Sequence, residues 1–181
     1  PNYKLISKLA TECRMPFCYG GGVNSIDQFD RIISSGVEKV AVSSAFVKCP
    51  DLIGTAASRF GSQSVVGVID TKRTGILRQH EVMIMNGALG TGLHPKHWAI
   101  KLESFGVGEI IINSIDRDGV MAGYDLDLIG DVKGAINTPL TAVGGAGSLQ
   151  DINDLFSRFG ILGASAGSLF VFKGKYKAVL I

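Results

Sequence analysis

The 181-residue sequence has little of several features that define whole classes of protein. Its 18 Lys and Arg nearly balance its 16 Asp and Glu, so no broad positive field is available to attract nucleic acid. Three cysteines, Cys13, Cys18 and Cys49, are too few for a disulfide-built scaffold and predict reduced thiols. No apolar run reaches the roughly 18 residues of a membrane-spanning helix. We therefore expect a cytoplasmic protein that binds neither nucleic acid nor membrane.

What the sequence does contain is apolar residues, 46% of the total, and 24 glycines. Short apolar runs bounded by glycine alternate with segments of helical period, a pattern typical of βα units around a parallel sheet. The predicted strands are Pro16–Tyr19, Lys39–Ser43, Ser64–Asp70, Glu109–Ser114, Leu140–Val143 and Gly163–Gly167. Six such units in residues 1–181 predict a single α/β domain.

Capping residues mark the helices between these strands. An opening helix is predicted at Tyr3–Glu12, and further helices begin near Ser25, Pro50, Pro95 and Ser148. The predicted helix stops are Gly36, Gly61, Gly106 and Gly160. The stretch Thr74–Gly90 has no helical period and carries Asn86-Gly87 between apolar residues, which predicts a β-hairpin after the third strand.

An internal repeat narrows the fold. Residues 21–26 (GGVNSI) match 144–149 (GGAGSL), and residues 44–47 (SAFV) match 168–171 (SLFV). Ser25 and Ser148 are 123 residues apart, and Ser44 and Ser168 are 124 apart. This period is half of the roughly 250 residues of a TIM (β/α)₈ barrel. The chain is therefore predicted to be an incomplete barrel of about six βα units, strands three to eight.

Each repeat carries a Gly-rich loop between a strand and a helix, where glycine lets backbone N–H groups approach an anion. Tight turns alone would also explain glycine here, but two related loops at half-barrel spacing favour two phosphate cups. Two cups on one barrel face suit a ligand with a phosphate at each end. The candidate phosphate-binding or substrate-binding residues are Gly21, Gly22, Ser43, Ser44, Asn113, Asp118, Gly119, Gly144, Gly145, Gly147, Gly167 and Ser168.

Three carboxylates stand at predicted strand ends. Asp70 is the candidate general acid or base, Asp118 a candidate substrate contact, and Asp116 is more simply structural. The alternative is a set of caps and ion pairs, because the cations of Lys72, Arg73 and Arg117 follow closely in sequence. The repeat would place a half-barrel counterpart of Asp70 ahead of residue 1.

Other polar and aromatic residues point to no cofactor. His80, His94 and His97 have no cysteine or carboxylate at zinc-ligand spacing, so neither a metal site nor any other cofactor is predicted. Trp98 lies at an apolar helix position and is predicted to pack in the core. Tyr124 could line the barrel mouth or pack at a helix start.

The motifs, in order, are FCYGGGV, GVEKVAVSSA, FGSQSVVGVIDTKR, TGL, GVGEIIINSIDRDG, GYDLDLI, VGGAGS and AGSLFVF. In this combination the sequence resembles the cyclase subunit of imidazole glycerol phosphate synthase. The resemblance implies a lyase that uses ammonia from a separate glutaminase subunit to convert a bis-phosphorylated aminoimidazole ribonucleotide in histidine biosynthesis. The closing run GSLFVFKGKYKAVLI is closer to paralogues from surface-polysaccharide gene clusters, for which amidination of a sugar is the alternative.

The resemblance also assigns roles to individual residues. The family has one catalytic aspartate on the first strand and one on the fifth; Asp70 matches the second, and the first has no match. Lys39 and Glu109 match two of the four members of an ammonia gate at the opposite end of the barrel. Ser43 stands where Asn is usual, and Asn113 where Thr is common.

Two hypotheses follow. In the first, the chain is an enzyme of this family that is impaired without its first two strands. In the second, it is a catalytically silent partial barrel that binds phosphates or self-associates. For such a partial barrel, the unpaired strands at both sheet edges predict a homodimer or higher oligomer.

Overall fold

The computed structural model describes residues 1–173 and 178–179. Six residues of the closing run quoted above, 174–177 and 180–181, lie outside this part. The helices are α1 Tyr3–Glu12, α2 Ile26–Ile33, α3 Ser44–Lys48, α4 Asp51–Phe60, α5 Pro95–Ser104, α6 Leu126–Lys133, α7 Leu149–Phe159 and α8 Ser168–Val171, with a 3₁₀ turn at Ser62–Ser64. The strands are β1 Cys18–Gly20, β2 Lys39–Val42, β3 Val65–Thr74, β4 Gln79–Ile84, β5 Leu89–Gly90, β6 Glu109–Ser114, β7 Leu140–Val143, β8 Gly163–Ala164, β9 Phe172–Lys173 and β10 Ala178–Val179.

Six parallel strands form one curled sheet in the order β1-β2-β3-β6-β7-β8. This is the predicted incomplete TIM-type barrel. Strands β1 and β8 are the two edges, and neither has a second partner within the described residues. The antiparallel strands β4 and β5 attach to β3, while β9 and β10 pair separately. No helix in the described part of the chain is long and apolar enough to cross a membrane.

The two faces of the sheet differ in burial. Alternate residues such as Val40, Ile69 and Ile110 point toward the helices and are fully buried. Each buried aliphatic side chain of this kind contributes about 1.5–3 kcal/mol, so the helix-facing side is the main core. The intervening residues, among them Lys39 and Asp70, line the concave face and are only partly buried. Trp98 lies in the core as predicted, with 3% of its surface exposed.

Local sequence signals predicted the first and last residues of several elements correctly. Predicted β6, β7, α1 and the range 51–60 of α4 agree with the structure. Strand β1 begins two residues later than predicted, because Pro16 has no N–H to donate to a ladder. Strand β8 covers only the first two of its predicted residues, since it has a single neighbour and the chain then turns into α8.

The predicted hairpin at Asn86-Gly87 is present as β4 and β5, with a turn in which both Met85 and Asn86 have positive φ. The structure adds a second hairpin, because β3 runs on to Thr74 and pairs with β4. This extension of β3 depends on pairing with β4, which begins at Gln79, nine residues after Asp70. The apolar run that predicted β3 ends at Asp70 and therefore did not indicate the extension.

The sequence repeat is also a repeat of backbone conformation. Gly21 and Gly22 have φ of 110° and 70°, and Gly144 and Gly145 have φ of 94° and 109°. Ser25 (φ −147°, ψ 158°) and Ser148 (φ −150°, ψ 163°) cap α2 and α7 in the same way. The two Gly-rich loops therefore end in the same strand-to-helix geometry, on the face where the carboxyl ends of the strands meet.

Candidate functional site

Asp70 lies at the carboxyl end of the parallel part of β3, between side chains of both neighbouring strands. The Ser43 hydroxyl donates to its Oδ2 at 2.8 Å, and the Asn113 amide nitrogen donates to its Oδ1 at 2.9 Å. Both carboxylate oxygens thus accept a hydrogen bond, which fixes the plane of the group at the mouth. No ion pair joins Asp70 to a cation in the described residues.

The two serines after β2 do different things. Because Ser43 donates its proton to Asp70, that proton is not available to a ligand. Ser44 Oγ instead accepts from the backbone N–H of Met85, at the tip of the β4–β5 hairpin, at 2.9 Å. Its O–H proton has no acceptor within the described residues, so of the two serines Ser44 is the one with a proton available to donate to an anion.

The first cup, defined as Gly20–Asn24 with residues 41–45, opens into a cavity of about 550 Å³. Asp70 forms part of its wall, and Asn86 reaches it from the hairpin. A cavity of this size accommodates a small organic ligand rather than one phosphate group alone. Lys48 also lines this cavity, although nothing in the sequence distinguished it from other lysines.

The second cup, defined as Val143–Ala146 with residues 165–168, encloses only about 30 Å³. Asp118 and Gly119 close it from the loop after β6. The structure thus brings together the sequence-predicted residues Gly144, Gly145, Gly167 and Ser168. The space suits a single small group held by backbone atoms.

Both cups keep backbone donors free. The N–H groups of Gly22, Val23, Gly145 and Ala146 have no acceptor within the described residues. The next N–H along each loop is occupied, because Asn24 donates to Gln28 Oε1 at 2.8 Å and Gly147 donates to Asp151 Oδ2 at 2.9 Å. Gly147 was predicted among the phosphate-binding residues; its N–H instead donates to Asp151 Oδ2, the carboxylate oxygen that also accepts the Ser148 N–H in the capping box of α7.

A buried ion network supports the loop that closes the second cup. Arg73 donates to both oxygens of Asp125, at 3.3 and 3.1 Å, and His80 Nε2 lies 3.2 Å from Asp125 Oδ2. Burial raises the pKa of Asp125, but the N–H of Leu128, together with His80 and Arg73, outweighs burial and holds that pKa below its usual value. Asp125 thereby joins the β3–β4 hairpin to the start of α6.

This network corrects one sequence interpretation. The sequence offered the side chains of Arg73 and Arg117 as ion-pair partners for Asp70, Asp116 or Asp118. In the structure the carboxylate that pairs with both guanidinium groups is that of Asp125. Asp116 does have a structural role, because its Oδ2 accepts from the Arg73 backbone N–H at 2.8 Å. Tyr124 is buried and donates its hydroxyl to the Ser165 carbonyl at 2.9 Å, so it packs at the helix start and does not line the mouth. The sequence missed Asp125, whose only signal was its position before α6.

At the opposite end of the barrel, Lys39 Nζ lies 2.7 Å from Glu109 Oε2. Thr141 donates to the other oxygen of Glu109, also at 2.7 Å. Nearby on β1, Cys18 is exposed to solvent, yet partial desolvation by the surrounding residues and the charge of Glu109 raise the pKa of its thiol, while Lys39 opposes them. The two residues predicted as gate members are therefore in direct contact. Lys39 lies on β2 and Glu109 on β6, and β3 lies between these strands.

The histidines form no metal centre in the part of the chain that is described. His94 and His97 have ring centroids 5.6 Å apart, whereas His80 belongs to the Asp125 network. No group of three or more potential metal ligands occurs among the described residues.

Comparisons with known proteins agree with this architecture. Residues 1–177 match the family described as histidine biosynthesis protein. The provisionally named imidazole glycerol phosphate synthase subunit HisF of Leptospira borgpetersenii is 52% identical over all 181 residues, which span 71% of that protein. The provisionally named subunit hisF3 of Vibrio vulnificus strain YJ016 is 46% identical over 181 residues, 70% of its length. Imidazole glycerol phosphate synthase subunit HisF of Lactococcus lactis strain IL1403 is 42% identical over 167 residues, 92% of this chain and 64% of that protein. With its curled six-stranded sheet, two Gly-rich cups and a family match over nearly its whole length, the chain belongs to the histidine biosynthesis protein family.

Proposed function

We propose that this chain acts as a cyclase subunit of the imidazole glycerol phosphate synthase type, an ammonia-dependent lyase of histidine biosynthesis. Its substrate would be a bis-phosphorylated aminoimidazole ribonucleotide. The observation that carries the proposal is the position of Asp70, held by Ser43 and Asn113 at the mouth of a sheet that bears a Gly-rich cup on each side.

The proposed roles follow from this geometry. The free N–H groups of Gly22, Val23, Gly145 and Ala146, with the Ser44 hydroxyl, would hold the two phosphates. Asp70 would transfer protons at the part of the ligand between them, because cyclisation and cleavage both move protons. Ser43 and Asn113 would keep its carboxylate oriented during those steps.

Ammonia would enter from the opposite end of the barrel. In this proposal a glutaminase subunit docks there, and the Lys39–Glu109 pair controls entry. The pair is partly exposed, with 40% of the Lys39 side chain and 18% of the Glu109 side chain accessible, so a docked partner could reach it.

The test of the proposal is ammonium-dependent turnover. Because the family's first-strand aspartate has no match in these 181 residues, we expect them alone to be strongly impaired. A chimera that adds, at its N-terminus, the residues of the Leptospira borgpetersenii relative that precede the matched region should show ammonium-dependent activity. Asp70→Asn in that chimera should lower kcat by about 10²–10⁴-fold, the usual contribution of a general acid or base. A chimera that folds and binds the substrate, yet is equally active with Asn at position 70, would refute the role of Asp70.

A second candidate function is a catalytically silent partial barrel that self-associates. Exposed apolar side chains occur on α1, which precedes β1 in the chain, at Leu5 (51% exposed) and Leu9 (45%), and near β8 in sequence, at Ile161 (97%) and Phe170 (66%). Unpaired edges and exposed apolar side chains are commonly covered by another chain. Light scattering at micromolar concentration tests this, since the proposal expects a dimer or higher oligomer and a monomer would contradict it.

A further inference from the structure

Lys48 gives the first cup a positively charged side chain, and the second cup has none among its lining residues. It ends α3, one helical turn after Ser44, so the two residues lie on the same side of that helix. Its side chain is exposed, lines the cavity of the first cup, and forms no ion pair within the described residues. An ammonium group is therefore available to a ligand in this cavity.

The second cup has the opposite character. No Lys or Arg lines it, and the charged residue that does is Asp118. No Lys, Arg or His pairs with Asp118 in the described part of the chain. Although the two cups share one backbone geometry, the first is lined by the Lys48 cation as well as by the Asp70 carboxylate, whereas the second is lined by the Asp118 carboxylate without a cation.

We propose that Lys48 makes the first cup the stronger of the two sites for a phosphate dianion. This inference rests on the proposed function, because it assumes that both cups take phosphates. The other charged group at the first cavity is Asp70, whose two oxygens accept from Ser43 and Asn113. Lys48 offsets this negative charge, whereas no cation among the lining residues offsets Asp118, so the second cup holds the same dianion more weakly.

The test measures each cup separately. Backbone amide NMR follows Gly22 for the first cup and Gly145 for the second while the full chain is titrated at pH 8 with methyl phosphate. At this pH methyl phosphate is largely a dianion, since the second pKa of a phosphate monoester is about 6. Methyl sulfate, of similar shape, is the monoanionic comparison.

The matched variants are Lys48→Met, Lys48→Arg and Lys8→Met. Lys8 is an exposed lysine on α1, so Lys8→Met makes the same change in net charge away from both cups. We expect Lys48→Met to weaken methyl phosphate at Gly22 by about tenfold and methyl sulfate by about threefold, because the Coulomb energy doubles with ligand charge. Lys48→Arg should keep most of the affinity, and Gly145 should respond equally in all variants.

Three results would overturn the inference. Unchanged affinity at Gly22 in Lys48→Met would remove the role of Lys48 and leave phosphate binding by the cups intact. An equal loss at Gly22 and Gly145, or an equal loss in Lys8→Met, would mean a general effect of charge or folding. Absence of any response in both cups of the wild-type chain would refute the inference together with the proposed phosphate binding.

Discussion

The first and second cups start from nearly the same sequence and backbone conformation, yet their surroundings differ. In the second cup the loop after β6 packs against the glycines, and Gly123 donates its N–H to the Gly145 carbonyl at 2.8 Å. In the first cup no atom lies within 4 Å of the space that a side chain on Gly21 or Gly22 would fill. The cavities differ accordingly, about 550 Å³ against about 30 Å³. The comparison shows that the same strand-to-helix turn can border either an open cavity or a nearly closed one, depending on how the neighbouring loop packs against it.

The largest expected difference between the cups comes from alanine at the repeat-matched glycines Gly22 and Gly145. Both have positive φ, which costs alanine about 1–2 kcal/mol. At Gly145 the new Cβ would also collide with the Gly123 carbonyl. Overpacking of this kind adds about 1–3 kcal/mol. Gly145→Ala should therefore lower the free energy of unfolding by about 4 kcal/mol and Gly22→Ala by about 1–2 kcal/mol, as measured by urea denaturation. Equal losses would break the distinction between the cups.

The next largest effect should come from the network behind the second cup. Asp125→Asn removes the charge that pairs with Arg73 and is expected to cost about 2 kcal/mol at pH 7, less than a fully buried pair because Arg73 is partly exposed.

The same variant should change the response to acid. Because the pKa of Asp125 is lowered in the folded state, its charge stabilises the protein at neutral pH, and this contribution is lost as pH falls below about 4. Between neutral pH and pH 3, wild type should therefore lose part of its advantage over Asp125→Asn, with the loss beginning near pH 4. A constant difference in unfolding free energy across that range would show that the carboxylate charge is not what matters.

The helix caps of α2 and α7 provide a third comparison, with a smaller expected change in the free energy of unfolding. Gln28 and Asp151 accept the N–H of Asn24 and Gly147, which are matched positions of the repeat. Asp151 also accepts from the N–H and hydroxyl of Ser148, and a carboxylate at a helix start interacts with the helix dipole. Asp151→Ala should cost about 1–2 kcal/mol and Gln28→Ala about 0.5 kcal/mol in thermal or urea unfolding. The reverse order would contradict the geometry.

The smallest effect concerns Cys18 and Thr141, which lie 123 residues apart and both approach Glu109. Since the charge of Glu109 raises the pKa of Cys18, Glu109→Gln should lower that pKa and speed alkylation of Cys18 about threefold at pH 8. Lys39→Met should slow it for the opposite reason. Peptide mapping measures the rate, with Cys13 and Cys49 as internal references that should not change. A faster rate at all three cysteines would indicate unfolding instead.

The sequence predicted the parts of the fold that local chemistry determines. Helix α1 and strands β6 and β7 agree to the residue because capping residues, glycines and apolar runs mark their ends. The repeat predicted both Gly-rich loops, since matching glycines require matching positive φ. These predictions needed no knowledge of distant contacts.

What the sequence could not predict depends on residues that are far apart in the chain. The length of β3 is set by pairing with β4, and Arg73, His80 and Asp125 meet only after both hairpin and loop have folded. Lys48 is one of many exposed lysines until the structure places it at the first cavity. The division of labour between Ser43 and Ser44 likewise follows from their partners, Asp70 and Met85.

The most direct test of the central claim is an amide NMR titration of the full chain with the bis-phosphorylated aminoimidazole ribonucleotide. If one ligand spans both cups across Asp70, the amides of Gly22 and Gly145 should shift together, with a single Kd and a stoichiometry of one ligand per chain. Separate dissociation constants for the two glycines, or a response at one cup alone, would contradict the account.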